Sequence, residues 1–324
     1  MRRYGWTMAS ITDTFARPRL LDTAPSAVVD HVAEVLGAQI TLEQPAVAGF
    51  THSVASLVSA EDGRALFVKA GLHNEAGGDA VRTGGELAEA IGDLGPALLS
   101  AAELDGWVVA IYERLPGAAV EQWMPEDLPQ LAKLSFELRE RLDPSPLSET
   151  ETYAKAFAPL LGTWEALANP DTTEAPTVTH VRDLELPYGL DVGFLAALEA
   201  DWFAVLGSGN ALQHGDIRRD NVMREPSGRL RLVDWTHRWI APGWADWVRL
   251  VPDVATDEFD AESVFQQSAW AHADEHGVNV MLAGLAGRCW RDGHLDPVPG
   301  LPQLRPMQLL QGDATLRWLA NRTS

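Results

Sequence analysis

Asp216, Asn221 and Asp234 are the residues of this sequence whose types and spacing could do chemistry together. They lie in Leu212–Trp235, LQHGDIRRDNVMREPSGRLRLVDW. A short apolar strand enters the polar loop His214-Gly215-Asp216, and Val222 and Met223 continue as a second strand. Glu225-Pro226-Ser227-Gly228 makes a turn, because Pro fixes φ and Gly accepts φ > 0. Leu230, Leu232 and Val233 then return and deliver Asp234. Such a hairpin brings Asn221 and Asp234 to one end of a small sheet, close to Asp216. Oxygen-bearing side chains converging there suit a hard cation such as Mg²⁺, next to a hydroxyl that needs a base.

Phosphoryl transfer asks for this set: one carboxylate to orient the acceptor hydroxyl and take its proton, and an Asn and a second Asp to hold the metal. On His214-Gly215-Asp216, Asn221 and Asp234, with Trp235 following, the segment resembles the aminoglycoside phosphotransferase and choline kinase family. The resemblance implies an α+β, bilobal, protein-kinase-like fold, with a small antiparallel sheet lobe carrying one helix and a larger, mainly helical lobe. It implies Asp216 as catalytic base and Asn221 and Asp234 as metal ligands. The plain alternative is a β-hairpin with chance acids.

The elements that must face this loop lie upstream. Val47–Ala70 contains two β-rich runs around a Glu61-Asp62-Gly63 turn, and Lys69 follows Leu66, Phe67 and Val68. The resemblance makes Lys69 the contact to the α- and β-phosphates, against the ordinary reading of an edge-strand lysine. Its partner is expected on the helix over 79–90; Glu86 is the choice, with Glu75 and Glu89 as alternatives. The pair Gly84-Gly85 is odd there, since each Gly costs about 1 kcal/mol relative to Ala in a helix interior. It marks either a late helix start or a close approach to a neighbouring loop. By resemblance, Gly49 and Ser53 belong to the phosphate-covering loop, although Ala48-Gly49-Phe50-Thr51-His52-Ser53 holds one glycine where protein kinases have three. The strand Trp107–Glu113 ends at Arg114-Leu115-Pro116-Gly117, and the resemblance makes Glu113 to Leu115 the hinge that meets the nucleotide base. ATP is the expected nucleotide, with GTP also open.

The expected organisation is an irregular leader over 1–25, a nucleotide-binding lobe over 26–116 and a catalytic and acceptor-binding lobe over 117–324. Ser26 is a plausible N-cap for a first helix ended by Gly37. Leucines at three- and four-residue steps over 128–142 predict a long helix, followed by helices over 149–168 and 191–206. Trp235, Trp239, Trp244 and Trp247 are expected to pack the core of the second lobe, and Asp246 to hold the catalytic loop from beneath, as in the family. Arg218 and Arg219 either approach the transferred group or pair with Asp220 or Glu225.

Composition bounds the partners. A net charge of −21 argues against nucleic acid. Cys289 is the sole cysteine, so no internal disulfide can form and a reducing, cytoplasmic setting is expected. No apolar stretch is long enough to span a bilayer. Residues 251–276 hold seven acids and no Lys or Arg: either a wall that attracts an amine-bearing alcohol, such as an aminoglycoside or an amino alcohol, or a solvated acidic face. His272-Ala273-Asp274-Glu275-His276 fits the H-x-x-E-H zinc pattern, but no Glu follows Glu275 to complete a ligand set. The expected activity is that of a small-molecule kinase, with antibiotic resistance among its contexts. The alternatives are a catalytically silent nucleotide- or metabolite-binding protein on the same fold, and a protein kinase, which the HGD loop and the missing APE element disfavour.

Overall fold

Alternation of side chains along strands decides how the first half of the molecule is layered. The computed structural model describes residues 19–46, 53–169, 177–299 and 301–324. Helix α1 (Ser26–Leu36) starts one residue earlier than a Ser26 cap would give, with Pro25 at the N-cap position, and ends at Gly37. Strands β1 (Leu42–Pro45), β2 (Val54–Ser59) and β3 (Ala65–Leu72), helix α2 (Ala76–Ile91), and strands β4 (Leu98–Leu104) and β5 (Trp107–Glu113) follow. The strands form one antiparallel sheet in the order β1-β2-β3-β5-β4.

Successive strand residues face opposite sides. Val68 and Ala70 of β3 and Val109 and Ile111 of β5 join Val28, Val32 and Leu36 of α1 in one buried cluster. Val108, Ala110 and Tyr112 of β5 and Phe67 of β3 meet Val81 of α2 on the other side. Both faces of β5 are thus covered, which is why WVVAIYE reads as a continuous apolar run. Lys69, between Val68 and Ala70, is turned to the α2 side.

The glycines of α2 have a packing cause. An ideal Cβ on Gly84 would lie 2.8 Å from the Trp235 carbonyl oxygen and 3.1 Å from the Tyr112 hydroxyl. The missing side chain lets α2 press against the backbone just past Asp234, which offsets the roughly 1 kcal/mol of lost helix propensity. Close approach, not a late start, explains Gly84.

The rest is mainly helical. Strand β6 (Ala118–Ala119) precedes α3 (Leu128–Leu142), the leucine-rich helix read from sequence. Then come β7 (Glu151–Thr152), α4 (Tyr153–Phe157) and α5 (Thr163–Ala168). The single helix expected over 149–168 is broken at Gly162, whose φ is 87°. Helices α6 (Val192–Ala200) and α7 (Trp202–Leu206) are likewise one expected helix interrupted at Asp201. Short strands β8 (Ala211–Gln213), β9 (Val222–Arg224), β10 (Leu230–Leu232) and β11 (Trp239–Ala241) lead to α8 (Ala245–Ala255), α9 (Ala261–Gln266), α10 (Glu275–Gly293) and α11 (Leu304–Thr323). Strands β9 and β10 pair antiparallel, as the turn residues demanded.

Tryptophan supplies much of this core: Trp123, Trp164, Trp202, Trp247 and Trp318 are fully buried. Trp235 and Trp244 join the same cluster and Trp239 packs against it, so the tryptophans after Asp234 do build the core. Among the described residues no helix is long and apolar enough to cross a membrane. His272 lies before α10, which starts at Glu275, so the H-x-x-E-H pattern does not present two histidines on consecutive helical turns. His276 pairs instead with Asp201 at 2.9 Å.

Candidate active site

The loop after β8 is fixed by buried polar contacts. The Asp216 N–H donates to His214 Nδ1 at 3.3 Å, so the other ring nitrogen, Nε2, donates to the Val233 carbonyl at 2.8 Å. That bond ties the loop to the strand end that carries Asp234. Gly215 has φ 79°, and a Cβ there would come 2.4 Å from Trp239 Cε3. Backbone conformation and the ring above it both exclude a side chain. Beneath the loop, the Asp246 carboxylate accepts the N–H groups of His214 at 2.5 Å and Gly215 at 2.9 Å. Its own N–H donates to Gln213 Oε1 at 2.9 Å. Burial pushes the Asp246 carboxyl up, and the His214 ring and the two N–H donors only partly counter this.

Four of the residues singled out in the sequence converge here. The Val233 N–H donates to the Asn221 carbonyl at 2.9 Å, closing the hairpin. Asn221 Nδ2 donates to the Asp216 carbonyl at 2.9 Å, which leaves the amide oxygen to face a cation. Asp234 has φ 68°, a left-handed conformation that costs a non-glycine residue about 1–3 kcal/mol and is typical of functional positions. From the sheet, Lys69 Nζ is ion-paired with Asp234 Oδ1, and its charge holds the Asp234 carboxyl below the usual range. An amide oxygen and a carboxylate oxygen form a donor set suited to Mg²⁺. Among the described residues no group of three His, Cys, Asp or Glu offers a competing metal site.

The expected Lys69–Glu86 pair is not what the structure contains. Glu86 is ion-paired with Arg238, while Lys69 takes Asp234. At Gly84, α2 lies against the Trp235 carbonyl, in the segment after Asp234 that also carries Arg238. Glu75 pairs with Arg19 at 3.3 Å, and Glu89 contributes its carbonyl oxygen to Arg141. Ser53 is buried just before β2, and Gly49 lies outside the described residues. The Glu113 carboxylate accepts the Ala97 N–H at 3.0 Å and pairs with Arg231 at 3.0 Å. Leu115 is buried close by, where the sheet hands over to the helices.

The neighbouring charges are reassigned by the geometry. Arg219 pairs with Asp253 at 2.9 Å and Asp257 at 3.0 Å and donates to the Glu121 carbonyl. It secures the loop. Arg218 sits 3.0 Å from Asp220 and 3.5 Å from Asp216 Oδ2. Arg249, which sequence reasoning missed, reaches Asp216 Oδ1 at 2.6 Å. Burial alone would raise the Asp216 carboxyl, but Arg249 and Arg218 outweigh it and hold it well below the usual range. The supposed acidic wall is largely committed elsewhere. Asp253 and Asp257 serve Arg219, Asp260 and Asp274 cap α9 and α10, and Glu262 pairs with Arg322 at 2.6 Å.

His237 stacks on Trp239 with ring centroids 3.6 Å apart. Burial, helped by the His214 ring, lowers its pKa from 6.5 to about 4. Protonation therefore favours the unfolded chain. The contribution of His237 to stability is complete above the unfolded value and is lost as pH falls from 6.5 toward 4. At about 1.4 kcal/mol per unit, the loss approaches roughly 3 kcal/mol. His237→Phe should flatten the decline in melting temperature across that window; parallel declines in both proteins would refute the assignment.

The chain has the protein-kinase-like fold of the aminoglycoside phosphotransferases. No protein-family model and no curated protein matches it. Among solved structures, an aminoglycoside phosphotransferase from Alicyclobacillus acidocaldarius is 14% identical with a TM-score of 0.64, the match covering 95% of this chain and 97% of that one. A spectinomycin phosphotransferase in complex with AMP, APH(9)-Ia, is 13% identical with a TM-score of 0.58 over 91% and 98%. A thermostable mutant of APH(4)-Ia, in a ternary complex with AMP-PNP and hygromycin B, is 16% identical with a TM-score of 0.57 over 91% and 99%. At these identities the likeness is one of fold.

Proposed function

We propose that the protein is a small-molecule kinase that transfers the γ-phosphoryl group of ATP to an alcohol hydroxyl. One observation carries this reading: Asp216, Asn221 and Asp234 meet on one loop-and-hairpin unit, with Lys69 reaching Asp234 from the sheet. The nucleotides in solved neighbours, AMP-PNP and AMP, support it. Asp216 orients the acceptor hydroxyl and takes its proton. Asn221 and Asp234 would hold Mg²⁺, and the ion would supply charge neutralisation for the phosphates. Lys69, which reaches Asp234 in the structure, contacts the phosphates. Gly49 and Ser53 cover the phosphates, and Glu113 to Leu115 meet the base of ATP, with GTP the second nucleotide to test. Residues 26–116 form the nucleotide lobe and 117–324 the acceptor lobe, after a leader over 1–25.

The acceptor class is an aminoglycoside-like antibiotic or an amino alcohol, in a cytoplasmic setting. Hygromycin B in a neighbour supports a polyhydroxylated amine, whereas the acids of 251–276, mostly committed to caps and arginines, give it little further support. A silent nucleotide-binding protein is the second reading, and one fact favours it: both Asp216 oxygens face guanidinium groups. Calorimetry with ATP, with and without Mg²⁺, followed by an ADP-release screen over aminoglycosides, amino alcohols and neutral sugars, decides between them. Metal-dependent binding with ADP release is expected. Binding without turnover leaves the silent reading, and no metal-dependent binding removes the kinase.

A further inference from the structure

We infer that Arg249 is a positioning residue that selects which carboxylate oxygen Asp216 offers to the acceptor, by gripping the other one. The inference rests on the reading of Asp216 as the base. Asp246 and Arg249 stand three residues apart on α8, so their side chains share one face of the helix. From that face Asp246 takes the N–H groups of His214 and Gly215, and Arg249 Nη2 donates to Asp216 Oδ1 at 2.6 Å. One helical turn thus grips the catalytic loop by its backbone and by its carboxylate.

The grip is anchored. Val248, Leu250 and Val251 beside Arg249 are fully buried, so α8 cannot shift without opening the core. Arg249 Nη1 lies 3.5 Å from the Tyr153 hydroxyl, and Tyr153 is itself packed among Phe157, Trp202 and Trp239. Arg249 Nε is buried and meets no acceptor. A guanidinium that leaves a donor unsatisfied is a poor stabilising device. What it does make is a short, charge-assisted bond to Asp216, of the kind that fixes orientation. With Oδ1 held, Oδ2 is the oxygen left to receive a hydroxyl proton. Arg218 is ion-paired with Oδ2 at the longer distance of 3.5 Å and hydrogen-bonds Asp220 at 3.0 Å, so the tighter hold on Asp216 is that of Arg249 on Oδ1.

The test is a double-mutant cycle read two ways on the full chain. Arg249→Met, Asp216→Asn and the double variant are compared by thermal melts, and Arg249→Met and Arg249→Lys by kinetics. Arg249→Met should lower the melting temperature by several degrees in the native background and by less than half as much beside Asp216→Asn, because its cost is chiefly an unpaired carboxylate. It should lower kcat about 100-fold with the MgATP dissociation constant within about threefold of wild type. Arg249→Lys, which keeps charge but not the planar fork, should recover part of kcat. Additive melting shifts, or kcat within threefold of wild type, overturn the inference. A wild type that binds MgATP but releases no ADP defeats the kinase reading separately, while coupled melts still sustain the grip on Asp216.

Discussion

Asp216→Asn will lower acceptor-dependent ADP release by about 10³-fold while leaving Mg²⁺-dependent ATP binding within about threefold of wild type. The substitution keeps the shape of the side chain and an oxygen that Arg249 can still donate to. It removes the second acceptor oxygen and the negative charge that, on the kinase reading, would receive the hydroxyl proton. General-base contributions span about 10²–10⁴-fold, and the loose transition state of phosphoryl transfer places much of this in orienting the hydroxyl. A coupled assay for ADP with calorimetry for MgATP reads both quantities. Turnover above a tenth of wild type would remove Asp216 from the centre of the reaction. A matching loss of nucleotide binding would place it among the metal ligands.

Asp246→Asn should be nearly as damaging, although Asp246 lies beneath the loop and is not assigned to substrate or metal. The carboxylate accepts two N–H groups, from His214 and Gly215, with one oxygen each. An amide offers one oxygen and turns an NH₂ group toward the other donor. Removing a buried charge gains something, as the upward push on the Asp246 carboxyl indicates. A buried N–H left facing an N–H costs more, about 1–3 kcal/mol. The displaced loop should carry Asp216 out of register and lower kcat about 100-fold. Thermal melts and the same ADP assay check both halves. A variant with native melting and turnover would show that the loop holds its shape without α8.

The sequence made the convergence of Asp216, Asn221 and Asp234 legible where spacing alone carries it. Five residues from Asp216 to Asn221, then a turn and Asp234, admit few backbone paths, and the β9–β10 hairpin realises one of them. Lys69 was singled out because it follows three apolar strand residues and by the resemblance, and the tryptophans after Asp234 were expected in the core from their bulk. Charge partners were not, because an ion pair joins segments whose distance only the fold sets. Glu86 could be placed on α2 but not matched to Arg238. The acids of 251–276 looked unopposed because Arg219 and Arg322 lie outside that window. Arg249 did leave a mark: an arginine inside Trp247-Val248-Arg249-Leu250-Val251 has no water to face, and a charge among buried residues implies a buried partner. The breaks at Gly162 and Asp201 were harder to read, since helical periodicity continues across both.

The contact between Lys69 and Asp234 has a thermodynamic corollary under the kinase reading. Asp234 would hold a divalent ion only by giving up the Lys69 ammonium, and Lys69 would meet a triphosphate only by leaving Asp234. Linkage then requires each ligand to tighten the other by an equal factor. On that reading the protein would add its own cooperativity to the affinity that nucleotide and metal already have for one another.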